Sequence, residues 1–361
     1  MKANHLSLAA LHPKALLEAL EAMDEDASVE QQLTPATVQL PAEGSLPPLT
    51  GATGWLNSPP LSATDLRGKV VLVEFWTYTC INWLRTLPYV RAWAEKYKEQ
   101  GLVVLGVHTP EFPFEHDVEN VRRAAKKLRV AYPIALDNDF AIWKAFDNHY
   151  WPALYFVDAR GHIRHHRFGE GDYEQSEVVI QRLLADTGIE YVYDGLVSVE
   201  AGGVEAAADW GSLESMENYV GYARTENFAS PGGLEEGERR VYAAPARLQR
   251  DHWALSGDWT VEEQAVVLNA ANGRIVYRFH ARDLHLVMGP AARGTAVRFR
   301  VRLDGQAPGA AHGNDIDAQG SGTTTDQRLY QLIRQPEPIV DRQFEIEFLD
   351  PGVEAFAFTF G

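Results

Sequence analysis

Residues 70–83 read Val70-Val71-Leu72-Val73-Glu74-Phe75-Trp76-Thr77-Tyr78-Thr79-Cys80-Ile81-Asn82-Trp83. The first six form an apolar run broken only by Glu74, the pattern of a strand covered on both faces. From 84 to 100 the apolar residues recur at the helical period, so a helix follows the strand within a few residues. Cys80 falls in the gap between them. A thiol there meets the free N–H groups and the positive dipole end of the helix, which favour thiolate over thiol and predict a pKa drawn down toward neutrality. The thiolate is the reactive form, so the position marks Cys80 as a candidate nucleophile. The bland alternative is a buried free cysteine used as a small apolar filler.

Moving outward, strand-like and helix-like runs alternate over 50–190. Strands are expected at 102–107, 153–157 and 163–168, and helices at 118–128 and 176–186. That alternation predicts an α/β domain with a mainly parallel sheet. After 191 the period becomes two: Val297, Phe299, Val301 and Leu303 alternate with arginines, and Phe344, Ile346 and Phe348 with polar residues. Strands with one inward face, separated by Gly, Pro and Asp turns, predict an all-β sandwich of jelly-roll type. Ahead of both, Pro13 and the apolar residues to Met23 suggest a short amphipathic helix, and 34–49 an extended Pro-rich linker. The expected division is therefore 1–49, 50–190 and 191–361.

Composition narrows the function classes. The 361 residues contain one cysteine, which excludes an internal disulfide and a Cys-based zinc cluster. With 33 basic and 50 acidic residues the net charge is -17, so the field of the protein opposes phosphate binding and nucleic acid is not an expected partner. Of these charges, 15 basic and 25 acidic residues lie beyond 190, which places most of the acidity in the β region. The early sequence, broken by His12, Pro13 and Lys14 and followed by acidic residues, is a poor signal peptide. No stretch approaches the length of an apolar spanning helix. A cytoplasmic location is the default expectation.

The segment from Val73 to Trp83 resembles the active-site strand and helix start of the thioredoxin superfamily, where an acid, Phe and Trp precede a CxxC motif. Glu74 falls at the buried-acid position, Pro88 at the proline inside the active-site helix, and Trp151-Pro152-Ala153 at the cis-proline loop. An X-Pro bond is the only kind for which cis is cheap, which suits Pro152. A redoxin domain with an insertion at 111–136, followed by a β-sandwich, resembles the soluble C-terminal region of DipZ-type thiol-disulfide proteins with their carbohydrate-binding-module-like domain. The resemblance covers about 50–361, with no counterpart here of the membrane-embedded portion of longer members, and it leaves an extracytoplasmic location open. It implies Cys80 as nucleophile, Glu74 as a proton relay with a pKa raised by burial, Pro152 shaping a peptide groove, and Trp76, Trp83 and Trp151 bordering the thiol or its substrate. For Trp76 in particular, a place in the core is the better reading.

Trp83 stands where the second cysteine of CxxC is expected. A dithiol cycle within the chain is therefore excluded, and a mixed disulfide at Cys80 has to be resolved by an external thiol, glutathione or a protein, with a protein disulfide as substrate. No cofactor is expected. Thr77 to Cys80 also satisfies the TxxC part of the peroxiredoxin motif, so a one-cysteine peroxidase stays open, although Val73 replaces the proline of that motif. A non-catalytic binding or scaffold protein is the third reading.

Weaker signals complete the survey. His162, His165 and His166 read as a solvated strand edge and no metal is expected there. His108 and Glu111, at the carboxyl end of a strand, fall where α/β proteins place ligands. Asn314, Asp315 and Asp317 resemble a calcium loop in composition without its spacing. Trp253 and Trp259 offer an aromatic platform for a carbohydrate, with packed core as the alternative.

Overall fold

A computed structural model of the chain describes residues 40–361. The helix expected after Pro13 and residues 34–39 of the Pro-rich stretch lie outside the described residues. Seven strands form the first sheet: β1 (Gly44–Ser45), β2 (Gly54–Leu56), β3 (Val70–Trp76), β4 (Leu102–His108), β5 (Ile134–Leu136), β6 (Ala153–Val157) and β7 (His162–Phe168). Four helices accompany them: α1 (Ile81–Tyr97), α2 (Val118–Lys127), α3 (Ala141–Ala145) and α4 (Tyr173–Ala185). The strand order is β1-β7-β6-β3-β4-β5-β2. Only β3–β4 and β4–β5 are parallel. The expectation of a mainly parallel sheet is thus corrected: the loop between β6 and β7 is too short for a crossover, and β6 enters antiparallel to β3. Part of the expected linker also joins the sheet, with Gly44 opposite Ile163.

β3 is buried along its whole length because the sheet is covered twice. Leu72 and Trp76 face α1 and α4, in a core with Leu87, Val90, Trp93 and Leu183. Val71, Val73 and Phe75 face the other side, with Leu105, Ile142 and Phe146. This alternation carries Glu74 to the α1 side. Register then assembles the site: Trp76 at the end of β3 lies opposite His108 at the end of β4, and Phe75 lies opposite Ala153 at the start of β6. The turn 77–80, the segment after His108 and the loop before Ala153 therefore meet at one edge.

The second half is antiparallel throughout its named strands: β8 (Asn218–Tyr219), β9 (Arg239–Tyr242), β10 (Trp253–Val261), β11 (Val266–Leu268), β12 (Gly273–Phe279), β13 (Asp283–Pro290), β14 (Val297–Leu303), β15 (Ser321–Thr324), β16 (Arg328–Arg334), β17 (Arg342–Phe348) and β18 (Val353–Phe360). β10 belongs to two sheets: Trp253 to Ser256 pair with β12, whereas Gly257 onward pairs with β9. The switch falls at Gly257, whose φ of 99° suits glycine. The sheet curls there, and rings from its two parts meet, as in the 4.9 Å contact of Tyr277 with Phe358. β18 departs from a single buried face. Nearly all of it is buried, because Phe356 packs on Phe112 and Phe114 of the first domain at 5.3 and 4.8 Å.

Candidate functional site

Cys80 is the N-cap of α1, with extended backbone angles and a partly exposed side chain. Its thiol donates to the carbonyl of Trp151 at 3.6 Å. The Trp151–Pro152 peptide is cis. Trp151 is itself fixed, its indole donating to Thr109 O at 3.1 Å and its ring packing on Trp143 at 4.3 Å. The structure thus brings Cys80, Trp151 and Pro152 together.

Glu74 lies deeper and is fully buried. One carboxyl oxygen accepts from the Trp83 indole at 2.9 Å and the other from the Tyr132 hydroxyl at 2.6 Å. Burial lifts its pKa to about 7, against the pull of those two bonds. The tryptophan at the second cysteine's position therefore serves as a buried donor to the acid. Its ring stacks on Trp76 at 4.4 Å, and both rings have no exposed surface. Trp83 and Trp76, both expected to border the thiol, lie in the core, Trp83 carried there by the first turn of α1. Gly106 makes room for this packing: a Cβ there would lie 2.7 Å from Trp76 Nε1.

Near the thiol runs a chain of polar groups of which sequence reasoning picked out only Glu111. Thr79 donates to Glu115 at 2.7 Å, and the other oxygen of Glu115 accepts the N–H groups of Glu111 and Phe112 at 2.7 and 3.0 Å. Glu115 is buried, and its pKa rises to about 7. Glu111 in turn accepts from the Tyr219 hydroxyl, and Arg224 lies 3.6 Å from it. Tyr219 also donates to Glu217 at 3.2 Å. The β domain thus supplies one wall of the site.

These surroundings reverse the expected thiol pKa. Loss of hydration pushes Cys80 well up, the Glu111 charge adds to it, and Glu217 contributes in the same sense. The N–H groups of Trp83 and Asn82 at the helix start pull downward, but less. Of the two residues flagged at the carboxyl end of β4, Glu111 acts on the thiol. His108 is fully buried with both ring nitrogens unpartnered, and burial drops its pKa to about 3.

The remaining sequence candidates lie elsewhere. Trp253 and Trp259 are fully buried in the β core, which overturns the carbohydrate platform and leaves the packed-core reading. His162 and His166 lie on β7 beside Asp158 and Glu43, at 3.5 and 2.7 Å. Asp315 accepts from Arg328 and Asp317 from the N–H groups of Gln319 and Ser321, so these carboxylates are committed within their own loop and strand. Among the described residues no group of His, Cys, Asp and Glu is arranged to hold a metal ion.

The two covered faces of the sheet, the cis-proline loop and the cysteine cap define a thioredoxin-like redoxin followed by an antiparallel β domain, and comparison with known proteins agrees. The AhpC/TSA family matches residues 50–166, and a thioredoxin-like C-terminal domain family matches 215–361. Thiol-disulfide oxidoreductase YkuV of Bacillus subtilis is 32% identical over 142 residues, covering 39% of this chain and 95% of YkuV. The chain belongs to the thioredoxin-like redoxin superfamily. Protein DipZ of Mycobacterium tuberculosis is 39% identical over 265 residues, covering 72% of this chain; the match spans only 37% of DipZ. A solution structure of a thioredoxin-like protein in its oxidized form is 32% identical, covering 40% of this chain and 96% of that one, with a TM-score of 0.37. Among the described residues no helix is long and apolar enough to cross a membrane.

Proposed function

We propose that this protein exchanges thiols with a disulfide partner through Cys80 alone. The observation that carries the reading is the placement of the partly exposed Cys80 thiol 3.6 Å from the carbonyl of Trp151, ahead of cis-Pro152, at the mouth of a redoxin fold. The Cys80 thiolate attacks one sulfur of the partner's disulfide; that bond breaks, a thiolate leaves, and Cys80 is held in a mixed disulfide. With Trp83 in place of a second cysteine, an external thiol displaces Cys80 and carries away the partner's sulfur as a new disulfide. Glu74 acts on this step only through Trp83 and the start of α1. Pro152 and Trp151 shape the surface that the partner meets.

The resting thiol is held protonated by burial and by Glu111, so exchange requires the partner to displace the Trp151 carbonyl from the sulfur or to neutralise Glu111. The same observation favours a second reading, a partner-binding redoxin without redox chemistry. Titration of the native protein with the aryl disulfide dithiobis(nitrobenzoate) separates the two. The first reading expects one equivalent of released aryl thiolate at alkaline pH, a rate that climbs with pH well past neutrality, and an adduct that persists until an external thiol is added. Release only after denaturation overturns it in favour of the second. Treatment with stoichiometric peroxide addresses the AhpC/TSA similarity: rapid sulfenic acid formation at Cys80 would replace both readings with a peroxidase.

A further inference from the structure

A cleft of 390 Å³ opens between α2 and the β domain, behind the turn that carries Cys80. Tyr78 and Leu84, which flank Cys80 in sequence, line it, together with Leu128 of the first domain and Leu329 on β16. Its surface is mostly apolar, with a few polar groups converging on it, the usual make-up of a small-molecule site.

Two of those polar groups have donors that are not committed within the chain. Tyr78 is 5% exposed, and the proton of its hydroxyl has no acceptor among the described residues. A buried hydroxyl whose proton finds no acceptor is costly, so an acceptor brought to it is held. Asn120, which also faces the cleft, donates one amide N–H to Phe114 O at 2.8 Å, its oxygen accepts from Arg123 at 2.6 Å, and its second N–H is left to meet the Tyr78 oxygen, so it offers the Tyr78 proton no acceptor. Burial and the Glu115 charge push the Tyr78 pKa up, so it stays a neutral donor. The second group is Lys127, which makes no hydrogen bond or ion pair among the described residues. The other charges are largely spent. Arg328 donates to Asp315 at 2.6 Å and to Leu329 O at 2.8 Å, and Asp315 also accepts the Gln331 N–H at 2.8 Å. Asp326 lies 3.9 Å from Arg123.

Three cations against two carboxylates line this cleft in a chain of net charge -17. A cationic ligand meets that excess, and an uncharged apolar one leaves the buried Tyr78 hydroxyl proton without an acceptor. We propose that the cleft binds a small organic anion, its acidic head on the Lys127 ammonium and the Tyr78 hydroxyl and its apolar body against Leu84, Leu128 and Leu329.

Calorimetric titration of the full chain with octanoate, octanol and octylamine tests this. Octanoate is expected to bind one to one with a Kd below about 1 mM, octanol about tenfold more weakly, and octylamine not measurably. Lys127→Met removes the preference for acid over alcohol, and Tyr78→Phe weakens octanoate severalfold. Lys126→Met, outside the cleft, leaves octanoate binding unchanged. Lys127 is exposed, so its variant is expected to fold, and circular dichroism checks this; Lys127→Gln gives the same reading with a polar side chain. No saturable octanoate binding up to about 5 mM, equal affinity for acid and alcohol, or a preference that survives Lys127→Met overturns the proposal.

Discussion

The Glu74 carboxyl is held by two neutral donors, Trp83 and Tyr132, and touches no cation, so its charged form is expensive. With a pKa lifted from 4.5 to about 7, the folded protein keeps a proton that the unfolded chain gives up in between. Stability from this group is full below about pH 4.5, is lost as pH rises through 7, and changes no further above that. Glu115, also at about 7, contributes a slope of the same sign. A glutamine at 74 can accept from Trp83 and donate to the Tyr132 hydroxyl while staying neutral. Glu74→Gln is therefore expected to remove roughly 2 to 3 kcal/mol of the loss in stability between pH 5 and 8, leaving the share due to Glu115. Urea unfolding of parent and variant at the two pH values checks this, and equal pH slopes would contradict it.

At the scale of elements, α1 joins redox position to core. Its first turn carries Trp83 down onto Trp76 and Glu74, and its later turns bury Leu87, Val90 and Trp93. Restoring a cysteine with Trp83→Cys removes a fully buried ring and strips Glu74 of a donor. The expected cost is roughly 3 kcal/mol or more, a fall in Tm of roughly 5 to 10 °C. A melting temperature unchanged within a degree or two would show that Trp83 is not an anchor of this turn. The long elements were legible in sequence because β3, β4, α1 and α4 extend over enough residues to show a period. β2, β5 and α3, with 3 to 5 residues each, were not. The site divides in the same way. Cys80, Glu74 and Pro152 stand in local motifs, whereas Tyr132, Glu115 and Tyr219 reach the site across 58, 36 and 108 residues of chain, and no spacing announces such contacts. The thiol pKa was misjudged for this reason: the helix start is local and was visible, while the carboxylates opposing it arrive from distant segments.

For the whole molecule, the contact between the two halves bears on the site. Phe356 of β18 packs on Phe112 and Phe114, and Tyr219 and Arg224 hold Glu111 beside the thiol. Arg85, one turn beyond the Cys80 cap, binds both halves at once. Its guanidinium donates to Glu170 at 3.0 Å and to the carbonyl of Phe360 at the end of β18 at 3.3 Å. The Arg85 and Glu170 side chains are 2% and 8% exposed, so neither charge has water to fall back on. Removing one partner of a buried pair costs about 3 to 5 kcal/mol, more than the pair contributes relative to apolar substitutes, because the other charge is stranded. Arg85→Met is therefore expected to destabilise by about that amount, whereas Arg85→Met combined with Glu170→Gln recovers a substantial part of the loss. If Arg85 couples the halves, calorimetry of the single variant also shows the melting of the parent broadening or separating into two transitions, and Cys80 alkylates faster as the wall carrying Tyr219 loosens. A single variant that melts as sharply as the parent, with an unchanged alkylation rate, would assign Arg85 to the packing of α1 alone and leave the aromatic contact at Phe356 as the joint.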